Sequence, residues 1–147
     1  MYTRRNIKTA PLHVQSAFSA IWTLLIENIP PDDSITPPQN SDLSILKNMV
    51  GFIQKNYTGK ISLADIAASG AVGQSKCCKL FAKYFSQTPN VYLTGYRLDK
   101  SIELLRCTDL SITDIALSVG FGSASYYAET FRRWFGKSPT EFRNEQF

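Results

Sequence analysis

The segment Ile61-Ser-Leu-Ala-Asp-Ile-Ala-Ala-Ser69 returns 49 residues later as Leu110-Ser-Ile-Thr-Asp-Ile-Ala-Leu-Ser118, and this repetition is the strongest indication of the fold. A second segment, Phe81-Ala-Lys-Tyr-Phe-Ser-Gln-Thr-Pro89, returns 50 residues later as Phe131-Arg-Arg-Trp-Phe-Gly-Lys-Ser-Pro139. One residue is therefore added between the two segments in the second copy. Two similar units on one chain are suited to contact a repeating object at two places.

The residues around the repeats follow a helical pattern. From Asp42 almost to the end, apolar residues recur three and four positions apart, and no alternating apolar run predicts a strand. We therefore predict an all-α fold with about seven helices in residues 42–147. The face predicted for the first helix consists of Leu46, Met49, Val50, Ile53 and Tyr57.

A long helix is predicted between the two copies. Thr88 is a suitable N-cap and Pro89 a suitable first residue, and the helix is expected to run over residues 88–107. At the standard rise it would be roughly 28 Å long. Its predicted buried positions are Val91, Gly95, Leu98, Ile102 and Leu105.

The first 41 residues differ from the rest. Residues 13–29 carry one apolar helical stripe, and residues 30–41 contain four prolines and no periodicity, which indicates a linker. An isolated helix cannot bury such a stripe by itself. It is expected to dock on the following domain, pair with another copy, or be the remnant of an upstream effector or dimerisation domain.

Each copy has the features of a helix-turn-helix unit, which we place at about 61–86 and about 110–136. Ser62 and Ser111 are predicted N-caps with a carboxylate three residues later. The close crossing of two helices requires a small residue, and Ala67 and Ala116 occupy that position.

The turn itself favours glycine, which accepts positive φ without strain. Gly120, followed by the apolar anchor Phe121, meets this demand in the second copy. The first copy has Ala71 and Val72 there, so Gly70 is expected to absorb the bend.

Two such units joined by a long helix resemble the C-terminal DNA-binding domain of the AraC/XylS family of bacterial transcription regulators. The most similar stretch is Asp109–Phe121, followed by Ser125-Tyr-Tyr, Phe131-Arg-Arg-Trp-Phe-Gly136 and Ser138-Pro-Thr-Glu-Phe-Arg143. The similarity covers residues 42–145 and nothing before them. It implies that two recognition helices enter adjacent major grooves on one side of the duplex, about 34 Å apart.

Matching the chain to the family position by position gives candidate DNA contacts at the outward start of each recognition helix. The candidates for base reading are Gln74, Ser75, Lys76, Cys78, Lys79, Ser123, Ala124, Ser125, Tyr126 and Glu129. The candidates for phosphate contact are Lys83, Arg132, Arg133 and Lys137. Glu129 stands where the family often has arginine, so the second unit is expected to serve mainly for phosphate or partner contact.

For three further side chains we predict burial or exposure, and for two arginines we consider two roles. Cys77 and Tyr127 are predicted to be buried, and Tyr126 to be exposed. For Arg97 and Arg143, phosphate contact and ion pairing with Asp99, Glu103 or Glu141 are equally acceptable.

The composition argues against an enzyme, a metal site or a cofactor. The single histidine, His13, lies in the N-terminal segment, and three cysteines, two of them adjacent, lack the spacing of a zinc site. No stretch is apolar and long enough to span a bilayer, and the cysteine usage favours a reducing cytoplasm.

The sequence thus predicts a double-stranded DNA-binding transcription regulator of the bacterial cytoplasm and nucleoid, and the resemblance implies that it is an activator. Expected partners are DNA and RNA polymerase, with a homodimer through an N-terminal region left open. The alternative is a protein-interaction module of the same fold with a weakened DNA-binding face, because the net charge is only +4.

Overall fold

The computed structural model describes residues 39–145, and this part of the chain is all helical, as predicted. The seven helices are α1 (Gln39–Asn56), α2 (Leu63–Ser69), α3 (Gln74–Phe85), α4 (Pro89–Cys107), α5 (Ile112–Ser118), α6 (Ala124–Phe135) and α7 (Pro139–Asn144). The helix predicted over residues 13–29 and the prolines after it lie outside the described residues. The first unit is α1 to α3, the second unit is α5 to α7, and α4 joins them.

The first helix begins earlier than its sequence indicated. Its first turn includes residues 39–41, which we had assigned to the linker, and Asp42 lies in the same turn. Polar residues that favour turns are also accepted in the first turn of a helix, where main-chain N–H groups are still unpaired and a carboxylate interacts favourably with the helix dipole. A turn-like composition therefore did not distinguish linker from helix start.

Serine and threonine caps fix the starts of five of the other six helices, and α3 alone begins after a glycine, Gly73. Ser62 and Asp65 form a full capping box, with Asp65 Oδ2 accepting from Ser62 N at 2.8 Å. The hydrogen bonds from the Ser62 hydroxyl and main chain lower the pKa of Asp65. The predicted caps Thr88 and Ser111 are confirmed, since their hydroxyl oxygens accept from main-chain N–H groups three residues on.

The core of the first unit is built from the faces that the periodicity indicated. Leu46, Met49, Val50 and Ile53 of α1 are buried, and so are Ile66 and Ala67 of α2 and Cys77, Leu80 and Phe81 of α3. Close approach between α1 and α2 depends on Gly70, because a Cβ there would lie 2.8 Å from Met49 Cγ.

The helix α4 buries two different faces, and the single stripe predicted for it is only partly right. Val91, a predicted buried position, is 40% exposed, whereas Tyr92 and Leu93 are buried. Tyr92 packs its ring on Phe81 of the first unit, with centroids 5.5 Å apart. Because each half of α4 meets a different unit, the buried face changes along the helix.

The second unit has its own aromatic core. Leu98 and Leu105 of α4 are buried in it, together with Ile115 and Ala116 of α5, Val119, Phe121, and Tyr127 and Phe131 of α6. The predicted burial of Tyr127 and Cys77 and the predicted exposure of Tyr126 are all confirmed. Phe142 of α7 closes the cluster, with its ring edge-on to Phe131 at 5.5 Å.

Candidate nucleic-acid interface

The two turns between the paired helices have matching main-chain hydrogen bonds. In the first unit Val72 N donates to Ala67 O at 3.1 Å, and in the second Phe121 N donates to Ala116 O at 2.9 Å. The small residues Ala67 and Ala116 are both buried where the helices cross. Both copies therefore form a helix-turn-helix, with α3 and α6 as their second helices.

The bend in the first turn falls on alanine and not on the neighbouring glycine. Ala71 has φ of +54°, matching Gly120 at +92° in the second unit. Gly70, which was expected to absorb the bend, has an ordinary φ of −94°. That expectation was wrong because Gly70 serves a different demand, the contact with Met49 of α1. The first turn thus keeps a left-handed residue that carries a Cβ.

Most side chains predicted to face outward from α3 are exposed. Gln74, Ser75, Lys76 and Lys79 are exposed, and Cys78 is partly buried. Amide, hydroxyl and ammonium groups offer donors to base edges and phosphates. These side chains are therefore available to a ligand that approaches the start of α3.

Two lysines of α3 share a carboxylate that the sequence did not single out. Asp42 Oδ1 lies 3.3 Å from Lys76 Nζ, and Asp42 Oδ2 lies 3.9 Å from Lys83 Nζ. Together with Lys79, these residues line an open groove between α1 and α3. Asp42 lies more than thirty positions before either lysine, so no local spacing could have revealed the pairing. The groove of the first unit that holds these three lysines therefore also holds a carboxylate.

The outward side of α6 is less uniform. Ser125, Tyr126 and Glu129 are exposed, but Ala124 is partly buried against the core of the second unit. Ser123 precedes the helix as its N-cap, and its hydroxyl oxygen accepts from Tyr126 N at 3.2 Å. The residue equivalent to Ser123 in the first unit is Gly73, the N-cap of α3. The added residue of the second copy therefore lies in the turn.

The phosphate candidates differ in how far they are engaged within the protein. Arg133 donates to Glu129 Oε1 at 2.7 Å, and Lys137 pairs with Glu145. Lys83 Nζ lies 5.1 Å from the centroid of the Tyr84 ring in addition to its contact with Asp42. Arg132 is exposed. Among residues 39–145, Arg132 and Lys79 are the members of the candidate set with a full charge and no ion pair.

Arg97 and Arg143 form hydrogen bonds with main-chain carbonyls in place of the ion pairs considered for them. Arg97 donates to the carbonyl oxygens of Tyr57 and Gly59, both at 2.7 Å. Arg143 donates to Leu110 O at 2.7 Å. Both guanidinium groups thus bind main-chain carbonyls of other segments and not the carboxylates expected from sequence proximity.

Within residues 39–145, no group of three or more histidine, cysteine or carboxylate side chains is arranged to hold a metal ion. No helix in the same range is long and apolar enough to cross a membrane. Burial raises the pKa of the Cys77 thiol to about 11, so at neutral pH it carries its proton.

Comparison with known proteins agrees with this geometry. A family model described as a helix-turn-helix domain matches residues 66–145. The melibiose operon regulatory protein of Escherichia coli (strain K12) is 34% identical over 98 residues, which are 67% of this chain and 32% of that protein. The HTH-type transcriptional activator RhaS of an Enterobacter species (strain 638) is 31% identical over 105 residues, 71% of this chain and 37% of that protein.

A solved structure gives the same result. A transcriptional regulator of Chromobacterium violaceum, described as having an AraC-type DNA-binding domain, superposes with a TM-score of 0.67 at 29% identity, over 73% of this chain and 96% of that one. The chain spans about a third of the length of the curated relatives that it matches. It belongs to the AraC/XylS family of helix-turn-helix transcription regulators and contains that family's DNA-binding domain.

Proposed function

We propose that this chain is the DNA-reading part of a sequence-specific bacterial transcription activator, and that it binds two adjacent major-groove segments. The observation that carries the proposal is the repeated turn, with Val72 N and Phe121 N bonded alike to the alanines that precede them. Two units of the same local geometry, joined by a helix of 19 residues, suit two successive grooves of one duplex.

Base reading is assigned mainly to α3. Gln74 is suited to pair with adenine, and Lys79 with guanine, because these side chains match the donor and acceptor patterns of those bases in the major groove. Lys79 is exposed and forms no ion pair with the described residues, so its ammonium is free for such a contact. Ser75, Lys76 and Cys78 complete the reading set of the first unit.

Base reading by α6 is proposed to be weaker. Ser123, Ala124, Ser125 and Tyr126 offer hydroxyl groups and apolar surface, whereas the Glu129 carboxylate is held by Arg133. A carboxylate accepts from cytosine N4 but is repelled by phosphate. We therefore assign α6 a weaker base-reading role together with backbone contact through Arg132, Arg133 and Lys137, while Lys83 contacts the backbone for the first unit.

Salt dependence of duplex binding tests the proposal. If the four side chains assigned to phosphate each neutralise one phosphate, the logarithm of affinity should fall with the logarithm of salt at a slope of about −3.6. Between 50 and 200 mM salt this amounts to a loss of roughly 10²-fold. A 40-bp duplex and a fluorescence anisotropy titration suffice, since this contribution does not depend on sequence. A flat response would overturn DNA binding.

Two substitutions separate base reading from backbone contact. Lys79→Ala should cost about 1–3 kcal/mol on the sequence that the wild type prefers and relax the preference at one position. Arg132→Ala should weaken binding on all sequences alike and make the salt slope shallower by about 1. Far-ultraviolet circular dichroism of both variants controls for folding. Equal effects of both variants on all sequences would contradict the assignment.

A protein-interaction module of the same fold is the second candidate. Asp42 at Lys76 and Lys83, and Glu129 at Arg133, both reduce the positive charge of the two recognition helices. On this alternative the exposed starts of α3 and α6 bind a protein, and duplex affinity is insensitive to salt. The titration above distinguishes the two candidates.

The complete regulator is proposed to act in the bacterial cytoplasm, at the nucleoid, and to contact RNA polymerase when it activates transcription. RhaS, a relative described as an activator, supports the proposal that this regulator activates transcription. Homodimer formation through an N-terminal region is a further proposal, based on the apolar stripe in residues 13–29. Catalysis is not proposed, because the family consists of DNA-binding regulators.

A further inference from the structure

The first and second units meet beside α4, where Tyr57 contacts Tyr96 and the turn at Gly120. Tyr57, directly after α1, packs its ring edge-on against Tyr96 of α4 at 5.1 Å and also contacts the core of the second unit. Its carbonyl oxygen approaches the second turn so closely that a Cβ on Gly120 would lie 2.3 Å from it. The end of α1 in the first unit therefore abuts the turn that leads into α6.

Arg97 of α4 closes this junction with both arms of its guanidinium. Nε donates to Tyr57 O and Nη2 donates to Gly59 O, each at 2.7 Å. The same Nε lies 2.9 Å from the position that a Cβ of Gly120 would occupy. One side chain thus binds the end of the first unit while lying against the turn of the second.

The chemistry of arginine suits this role. Its guanidinium is a planar fork of fixed geometry, and hydrogen bonds from a charged donor are short and strong. Burial lowers the pKa of Arg97, an effect that electrostatic interaction with Tyr126 opposes, and arginine stays protonated in proteins. Tyr126 lies in the first turn of α6, so the guanidinium is also close to the start of the second recognition helix.

We propose that Arg97 is a positioning residue that sets the distance and angle between the two DNA-reading helices. The apolar contacts of Tyr57 hold the units together without preferring a direction, whereas two charged hydrogen bonds define an orientation. The inference rests on the proposed function, because spacing matters only to a protein that reads two sites on one duplex.

Spacing on DNA makes the proposal testable. One added base pair moves the second site by about 3.4 Å and turns it by roughly 34°. A rigid pair of readers loses simultaneous contact after such a change, while a loosely joined pair adapts to it. The position of the second motif is thus a readout that a general loss of stability does not alter.

The experiment uses the full 147-residue chain and a duplex obtained by selection from a randomised 40-bp pool with the wild-type protein. Three probes follow from it: the selected duplex, the same duplex with one base pair inserted between the two motifs, and a duplex with the second motif scrambled. Affinities are measured for the wild type, Arg97→Met and Arg97→Lys. Arg106→Met is the matched control, since it also removes one positive charge from α4. The Arg106 guanidinium lies over the Phe142 ring of the second unit, 5.6 Å from its centroid.

For the wild type and Arg106→Met, the inserted base pair should weaken binding by about tenfold or more. For Arg97→Met the penalty should fall below about threefold, while affinity for the single-motif duplex stays within about twofold of the wild type. Arg97→Lys should lie between them, because an ammonium retains charge and donors but not the fork.

Retention of the wild-type penalty in folded Arg97→Met would overturn the inference. If that variant does not fold, a wild-type loss of affinity on the inserted base pair in Arg97→Lys would also overturn the inference. Failure of the wild type to select any two-part sequence overturns the proposed function as well, and it is seen without any variant.

Discussion

The Arg133 guanidinium donates a 2.7 Å hydrogen bond to the Glu129 carboxylate one turn earlier on α6. Both side chains are well exposed, at 74% and 68%, so the pair adds little to stability. Its significance lies in charge, because it places a carboxylate at a predicted base-reading position and occupies a predicted phosphate contact. The second unit is therefore expected to bind DNA below its full electrostatic capacity.

Glu129→Gln should raise affinity for a duplex of arbitrary sequence by about threefold near 100 mM salt and steepen the salt slope by about 1. The substitution removes a negative charge that faces phosphates and releases Arg133. Anisotropy titrations over a salt series provide the measurement. Glu103→Gln is the control, since Glu103 lies on α4, which is not a recognition helix, and pairs there with Lys100. Loss of affinity confined to one selected sequence would instead show that Glu129 reads a base.

Asp42→Asn should act in the same way on the first unit. The Asp42 carboxylate lies within 4 Å of two lysine Nζ atoms, and its removal should raise affinity for any duplex by about threefold at low salt. A double-mutant cycle with Lys76→Ala tests the route of the effect. If the gain persists unchanged when Lys76 is absent, Asp42 does not act by competing with phosphate for that lysine.

Local sequence patterns predicted the helices and turns well because the forces that fix them are local. Caps at Ser62, Thr88 and Ser111 depend on residues three positions apart, and the repeat itself gave the two turns. The pairing of Asp42 with the α3 lysines depends on packing between helices, which spacing does not encode.

The role of Gly70 was misread for the same reason. A glycine beside a turn suggests backbone freedom, but this one is required by the proximity of Ile45 and Met49 on another helix. Val91 was misassigned because α4 changes its buried face between the two units, and a single stripe cannot describe that change. Contacts between distant segments were thus the part of the candidate site that the sequence left undetermined.

Ala71→Gly should stabilise the protein by about 0.5–1 kcal/mol. Relief of the left-handed conformation at φ of +54° is worth roughly 1–2 kcal/mol, and the greater freedom of glycine in the unfolded chain offsets about half of it. Urea denaturation followed by circular dichroism measures the difference. Ala68→Gly is the control, because Ala68 lies in α2 and the same change should cost about 0.5–1 kcal/mol there. Destabilisation by both changes would contradict the strain assigned to Ala71.

Gly120→Ala, at the equivalent position of the second unit, should have the opposite sign. The new Cβ would adopt φ of +92° and meet Tyr57 O at 2.3 Å, a main-chain atom that cannot move aside cheaply. Strain and overpacking together should cost about 3 kcal/mol or more. The same urea experiment applies, and Gly122→Ala is the matched control, since no atom lies within 4 Å of a Cβ there. Similar stabilities for both variants would show that the junction with Tyr57 is looser than the structure indicates.

The cysteine thiols should differ in how fast they are alkylated, because they differ in burial and in pKa. Cys77 is fully buried, and burial together with the neighbouring Cys78 raises its pKa to about 11, whereas Cys107 is exposed. At pH 8 iodoacetamide should therefore modify Cys107 first and reach Cys77 only in denaturant, because the thiolate is the reactive form. Mass spectrometry of digested protein measures this order. Rapid modification of Cys77 in the folded protein would contradict its burial in the first core.

At high pH, the free energy of unfolding should fall because the unfolded Cys77 thiol loses its proton before the folded one does. The folded state holds the Cys77 proton up to about pH 11, whereas an unfolded thiol releases its proton near pH 8.5. The contribution of the protonated Cys77 thiol to the free energy of unfolding is therefore fully present below about pH 8.5. It is lost as pH rises towards 11, by at most about 1.4 kcal/mol per pH unit. Urea denaturation at pH 8 and pH 10 should show a smaller decrease for Cys77→Ala than for the wild type, although the variant is less stable at both. Equal decreases would mean that other groups, such as lysines, account for the alkaline loss and that Cys77 does not contribute to it.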